Sequence, residues 1–235
     1  MKSGITLAVI PARGGSKRLK NKNVLPLHKY PLLYYSLKAA TEAELVDETI
    51  VSTDSPAIGK RAKELGGLVC FGRPRRLATD TASNYDVLRH AVRWWEAHKE
   101  RVEIAVLLQP TSPLRTGEDI DEALKLLARA GADAVVSVTP VSQPPEWMVR
   151  LDANGRPSPV LTTAGQFRKR KQDLGPAYVP NGALYVLRRA HLMAGLTAFE
   201  GNARCYVMPR ERSIDIDHEE DFLLAEAMMR AHRPR

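Results

Sequence analysis

Apolar positions along this chain fall into two spacings that take turns. Ile5-Thr-Leu-Ala-Val-Ile10 is a continuous run rich in β-branched residues, the pattern of a buried strand. Leu32 to Ala40 carries apolar residues at helical spacing, with Pro31 placed at the first turn. Glu48 to Thr53 reads as a second strand. Ser55 and Pro56 then supply an N-cap and a first helical position, and Gly66-Gly67 closes that helix. Leu68 to Phe71 predicts a short third strand. Ser83 with Asp86 has the spacing of a capping box for a helix over 84–99, whose buried face is Val87, Leu88, Ala91, Val92 and Trp95. Of the neighbours Trp94 and Trp95, one is expected in the core and the other half-exposed. Ile104 to Leu108 predicts a central strand. Thr116 caps the next helix, with Glu118 and Asp119 in its first turn and Gly131 at its end. Ala134 to Val138 is strand-like again. Such alternation predicts an α/β fold with a mainly parallel sheet and right-handed crossovers. The loops starting at Pro11, Asp54, Gln109 and Thr139 then leave carboxyl ends of strands and should share one rim.

From residue 140 to 180 the pattern breaks. Prolines and glycines interrupt every element, and Arg168 to Lys171 is a block of positive charge. Trp147, Met148, Val149, Val160, Leu161 and Phe167 are too apolar for a disordered linker. This stretch reads as a hairpin-like arm inserted into a single domain spanning 1–235, burying its apolar residues against a second subunit. Gly182 to Leu187 and Arg204 to Met208 return to strand character, and a terminal helix is predicted over 219–232.

Composition narrows the classes. At 235 residues, 44% hydrophobic and 26% charged, the chain suits one sizeable globular core. No apolar run approaches the roughly 20 residues that cross a bilayer. Met1 to Gly4 leads straight into a strand with no signal-peptide h-region. A cytoplasmic protein without membrane association is expected. Cys70 and Cys205 lie in strand-like runs and are expected as buried thiols. The net charge of +8 calls for a polyanionic partner. Zinc-finger spacing and RNP-type aromatics are missing from the sequence, and the basic residues gather at loops, so a nucleotide triphosphate is favoured over nucleic acid.

The charge gathers first after the opening strand, where Arg13, Lys17, Arg18, Lys20 and Lys22 surround Gly14-Gly15. Glycines let backbone amides form an anion nest, and the cations add full charges, so this loop suits several phosphates. It fits neither the Walker pattern nor the dinucleotide fingerprint. At the other end of the chain, period-two alternation in Ser213-Ile-Asp-Ile-Asp217 predicts a strand with Asp215 and Asp217 on one face. Two readings stand for that pair: a site for a hard divalent cation, or an acidic lead-in to the last helix.

The segment Ile10 to Asn23 resembles the amino-terminal signature of the acylneuraminate cytidylyltransferases, a family with relatives acting on legionaminic and pseudaminic acids. Four further stretches resemble the same family in the same order: Arg73 to Ser83, Leu107 to Arg115, Asn181 to Tyr185, and Ser213 to Asp217. The resemblance implies a Rossmann-like, nucleotidyltransferase-type α/β sheet, while the homodimer is predicted by the apolar residues of the arm over 140–180. It also implies a nucleotide-binding set of Ala12, Arg13, Gly14, Ser16, Lys22, Asn23, Arg73 and Ser83. Gln109, Arg170, Lys171 and Asn181 would meet the sugar, and Asp215 and Asp217 would hold Mg²⁺, with Mn²⁺ as a substitute. Lys22, Arg13 and Asp217 would be catalytic, with Asp217 or a metal-bound hydroxide as the candidate base. One departure stands out: where the family carries an Arg linked to the substrate carboxylate, this chain has Lys171 without a gap, or Arg170 with a shift. A lysine offers a point charge in place of a bidentate fork.

The implied reaction joins CTP to an acidic nine-carbon α-keto sugar, giving a CMP-sugar and pyrophosphate. Alternatives are an octulosonate or GDP-sugar-forming enzyme of the same fold, a non-catalytic nucleotide-binding module, and a basic nucleic-acid binder. The last would show a steep salt dependence.

Overall fold

A computed structural model describes residues 4–16, 18–162 and 165–231. In chain order the elements are β1 (Ile5–Pro11), β2 (Pro26–Leu27), β3 (Tyr30–Pro31), α1 (Leu32–Glu42), β4 (Glu48–Ser52), α2 (Pro56–Glu64), α3 (Asn84–His98) and β5 (Val102–Leu107). They continue with α4 (Gly117–Arg129), β6 (Ala134–Pro140), β7 (Val149–Leu151), β8 (Pro157–Pro159), β9 (Tyr178–Arg188), α5 (Arg189–Met193), β10 (Ala203–Val207) and α6 (Glu219–Ala231). The helix predicted over 219–232 is present to Ala231, and residue 232 lies outside the described residues.

Six strands form one sheet in the order β10-β6-β9-β5-β1-β4. β1 pairs parallel with β4 and β5, and β6 parallel with β10, while β9 runs antiparallel between β5 and β6. The expected mainly parallel sheet is therefore present, with β9 reversed in its middle. Leu7, Val9, Val106 and Leu107 are fully or almost fully buried, as strands covered on both faces require. One apolar layer packs α1, α2 and α4 on the sheet, and the other packs α3, with Trp95 buried and Trp94 half-buried and stacked on His98.

Helix starts follow the sequence closely. The Ser55 hydroxyl accepts from Ile58 N, and Thr116 and Asp119 form a reciprocal capping box. Ser83 caps α3 alone, because Asp86 pairs with Arg89 instead of reaching back. Two predicted strands are corrected. Leu68 to Phe71 makes only isolated bridges beside β4, at Leu68 and Gly72. Residues 213–217 form no strand and join no ladder. The thiols also differ from expectation: Cys205 is exposed on edge strand β10 and Cys70 is half-buried.

Between the end of β6 at Pro140 and the start of β9 at Tyr178 the chain runs outside the six-stranded sheet, so the last residues of the stretch 140–180 belong to β9. β7 and β8 form an antiparallel hairpin, followed by single turns of 3₁₀ helix. Its apolar residues face outward: Leu151 is 67% and Phe167 56% exposed.

Candidate active site

Beyond the carboxyl ends of β1 and β5 lies a cavity of about 300 Å³, with Arg13, Lys22 and Arg73 on its walls together with Asp215 and Asp217. Of the four loops expected at this rim, those after Pro11 and Gln109 line it directly. The loop at Asp54 acts through β1's loop, and the loop at Thr139 leads into the arm.

The basic loop is built by local closure. Ala12 is buried and donates to Ser52 O, continuing the direction of β1. Gly14 packs so tightly on α2 that a Cβ there would lie 2.9 Å from the Ser55 Cβ. Its amide donates to Asp54 Oδ1 at 3.0 Å, so the protein itself satisfies this member of the expected anion nest. Asn23 is buried and its Nδ2 donates to Arg13 O at 2.9 Å, tying the loop's two ends together. Arg13, Ser16 and Lys22 are thereby turned toward the cavity. Lys17 lies outside the described residues.

Arg73 enters from the other side. Its Nε donates to Ser52 Oγ at 3.1 Å and its Nη2 to Ser52 O. Burial lowers its pKa to about 10, which leaves it protonated at neutral pH. Among the described residues no carboxylate forms an ion pair with it, so its charge is available to an anion in the cavity. Arg13, by contrast, pairs with Asp80 at 2.7 Å.

The acidic wall hangs from four ties. Ile216 N donates to Thr111 O at 2.8 Å. Ser213 accepts from Asn181 Nδ2 at 2.9 Å and donates to Pro209 O at 2.7 Å. Arg212 forks onto buried Asp119, which also accepts from Tyr206. Alternation survives without a ladder: Ile214 and Ile216 pack on Leu27, Leu32 and Ala225, while Asp215 and Asp217 face the cavity. The two carboxylates are pushed apart in proton affinity. Burial raises Asp215, aided by the charge of Asp217. For Asp217, burial is outweighed by hydrogen bonds and charge from Lys22 and Arg18, and its pKa is lowered.

Gly182 makes this wall possible. Its φ is +72°, and an added Cβ would sit 2.9 Å from Asp215 Oδ2. Gly182→Ala should therefore displace Asp215 and lower turnover at least about a hundredfold, the scale of losing one well-placed charged group. A far smaller loss in steady-state kinetics would show that Asp215 tolerates the displacement.

Comparison with known proteins decides the family. A family model described as Cytidylyltransferase matches residues 7–172. The chain belongs to this family. It is 37% identical over 220 residues to an N-acylneuraminate cytidylyltransferase of Escherichia coli, covering 93% of this chain and 51% of that protein. The chain thus spans about half the length of several curated relatives it matches. A CMP-N,N'-diacetyllegionaminic acid synthase of Legionella pneumophila is 33% identical over 230 residues, and 95% of each chain is covered. The fold is shared with a CMP:2-keto-3-deoxy-manno-octonic acid synthetase complexed with CTP, at a TM-score of 0.73 and 19% identity, covering 98% of this chain and all of that one. The family resemblance carried by the five motifs is thus borne out.

The remaining residues of the five motifs divide. Gln109 lines the cavity, while its carbonyl accepts from Ser36 and Arg115. Ser83 is taken up in capping α3, and its neighbours Ala82 and Asn84 line the cavity in its place. Asn181 is buried and works as a tie, accepting from Ser137 at 2.6 Å while holding Ser213. Arg170 and Lys171 do not line the cavity of their own chain. Arg170 pairs with Asp173 at 3.0 Å, and Lys171 donates to Ser142 O at 2.7 Å. Sequence reasoning missed Arg115, fully buried, which bonds Ala183 O at 2.7 Å and Ser36 Oγ at 2.6 Å. It braces β9 against α1. Its position inside a family motif was the available signal.

Proposed function

We propose that this chain transfers the cytidylyl group of CTP to the anomeric hydroxyl of a nine-carbon α-keto acid sugar. The observation that carries this reading is one cavity with Arg13, Lys22 and Arg73, the last without an ion pair among the described residues, facing the carboxylates Asp215 and Asp217. The names of relatives matched along their whole length support the substrate class. The sugar oxygen would bond to the α-phosphorus, the bond from that phosphorus to the β-phosphate oxygen would break, and pyrophosphate would leave. Lys22 and Arg13 would spread the charge of the departing pyrophosphate, and Arg73 would hold the nucleotide phosphates. Asp217, the expected base, has one oxygen on Lys22 and the other on Arg18. Asp215, with its raised proton affinity, is the better acceptor of the sugar's proton.

Asp215 and Asp217 also suit Mg²⁺ or Mn²⁺. Both are hard oxygen donors facing one cavity. The described residues hold no cluster of three or more His, Cys, Asp or Glu side chains fit for a metal. That donor set fits a cation held by one or two carboxylates and completed by substrate phosphates. Bound there, it would supply charge neutralisation at the phosphates.

The test is a pyrophosphate-release assay crossing CTP, GTP and UTP with sialic, legionaminic, pseudaminic and octulosonic acids. Release with CTP and a nine-carbon acid is expected. Preference for GTP, or for the octulosonic acid, would overturn the assignment, and no release with any pair would point to a nucleotide-binding module. Among the described residues no helix is long and apolar enough to cross a membrane. A cytoplasmic setting, where CTP is made, accompanies the proposal.

A homodimer is part of the same reading. Met148, Val149, Leu151, Leu161 and Phe167 are exposed along the arm, an apolar surface of the kind that pairs with another chain. Arg170 or Lys171 would then reach the partner's sugar site. Phe167→Glu should convert a dimer into a monomer by light scattering and raise KM for the sugar. A fully active wild-type monomer at micromolar concentration would refute the arrangement.

A further inference from the structure

Beside the main cavity opens a chamber of about 370 Å³ lined by Arg13, Ser16, Arg18, Lys22, Asp80 and Asp217. It has the charge of a phosphate subsite, yet its cations are engaged by carboxylates of the chain. Arg13 meets Asp80 at 2.7 Å. Arg18 Nη1 meets Asp217 Oδ2 at 2.6 Å, and Lys22 Nζ meets Asp217 Oδ1 at 3.1 Å. Both oxygens of Asp217 are therefore already occupied by positive groups.

The two cations on Asp217 are held differently. The Lys22 side chain is 13% exposed, and its Nζ also donates to Ile216 O at 2.7 Å, which fixes it in place. The Arg18 side chain is 60% exposed, and among the described residues its ion pair is with Asp217. A divalent cation cannot share Asp217 closely with Arg18, because like charges a few ångströms apart repel. Arg18 is the group able to move. A guanidinium released there would find its best new partner in a phosphate, which accepts two parallel charge-assisted bonds.

Building on the proposed function, we propose that Arg18 is an exchange residue, holding Asp217 until a divalent cation arrives with the triphosphate and then passing to the pyrophosphate end of the substrate. Metal alone must dislodge Arg18 from Asp217. Pyrophosphate alone must take Arg18 from Asp217. When both bind, each offsets the other's cost, so their affinities are coupled, and reciprocally so.

Arg18→Met removes the exchanging charge from an exposed position, so folding should be preserved, and circular dichroism checks that. Mn²⁺ binding to the protein alone, read by electron paramagnetic resonance, should tighten by about fivefold, the upper scale of an exposed ion pair. Pyrophosphate binding in EDTA, read by titration calorimetry, should weaken by a similar factor of about five. Opposite signs are the signature, since a merely structural role would weaken both. Arg18→Lys should restore part of the pyrophosphate affinity and loosen Mn²⁺ again. Unchanged or weaker Mn²⁺ binding in Arg18→Met would overturn the exchange. If CTP-dependent turnover is seen in that case, the proposed reaction stands without it. If neither wild type nor variant binds Mn²⁺, with or without pyrophosphate, the metal assignment fails and the exchange fails with it.

Discussion

Lys22→Ala is expected to lower kcat/KM by at least about a thousandfold while the protein still folds. Lys22 is the cation that joins the two halves of the cavity. Its loop arises after β1, yet its Nζ reaches Ile216 O at 2.7 Å and Asp217 Oδ1 at 3.1 Å. Removing it takes a full positive charge from the phosphate side. It also leaves Asp215 and Asp217 to repel each other with less compensation, which should raise the proton affinity of both. The loss should divide between CTP affinity, read by calorimetry, and turnover at saturating CTP and Mg²⁺. Arg13→Ala should cost less, because Arg13 already shares its charge with Asp80 at 2.7 Å. Lys22→Arg should not rescue: the side chain is 13% exposed and ends on a backbone carbonyl, where a larger planar fork has little room. Near-normal kinetics in Lys22→Ala would place the phosphate site elsewhere.

The sequence foretold these contacts only by halves. Strand runs such as Ile5 to Ile10, and caps such as Ser55 and Thr116, are local signals, and the fold contains them because nothing distant competes with them. Period-two alternation in 213–217 correctly predicted which side chains face the cavity but not the absence of a ladder. The alternation holds without a neighbouring strand, because Ile214 and Ile216 pack inward while Asp215 and Asp217 line the cavity. Leu68 to Phe71 fails for a related reason, since its composition permits a strand while only Leu68 and Gly72 bridge to β4 and its flank. Cys205 looked buried because β10 is apolar in pattern, but β10 pairs with β6 alone and stands at the sheet edge.

What stayed hidden in the chain was the bracing of charges by distant partners. Asp119 reads as an ordinary first-turn acid, and it is, yet it also receives both prongs of Arg212 from 93 residues away. Asn181 reads from the sequence as a sugar ligand, and its bonds to Ser137 and Ser213 also tie β6 to the acidic wall. No local spacing encodes such contacts; they depend on β9 lying antiparallel between β5 and β6. The arm differs again. Its apolar residues signalled burial, and in a single chain they are exposed, which is why a second copy enters the proposal.

Asp215→Asn is expected to abolish most activity and yet stabilise the fold. Burial raises the Asp215 pKa, and the nearby Asp217 charge raises it further, against the charge of Lys22. A carboxyl with a raised folded-state pKa binds more protons folded than unfolded. Stability therefore falls as pH climbs from the unfolded value, about 3.9, through the folded one, and the full cost is present at neutral pH. Asparagine keeps the shape and removes that cost, so Tm at pH 7 should exceed wild type, and the gain should vanish in acid below the unfolded pKa. Asp217→Asn should behave in the opposite way, because Lys22 and Arg18 hold Asp217 below its ordinary value and its ionised form stabilises the fold above it. Turnover of Asp215→Asn should drop by about a thousandfold. In the wild type the acid limb of kcat/KM should lie above the ordinary aspartate range, since Asp215 must be ionised to accept a proton or to hold a cation. Calorimetric melting across pH together with pH–rate profiles checks both halves. A variant less stable than wild type at pH 7 would mean that Asp215 is a structural anchor of the wall, not a strained functional carboxylate.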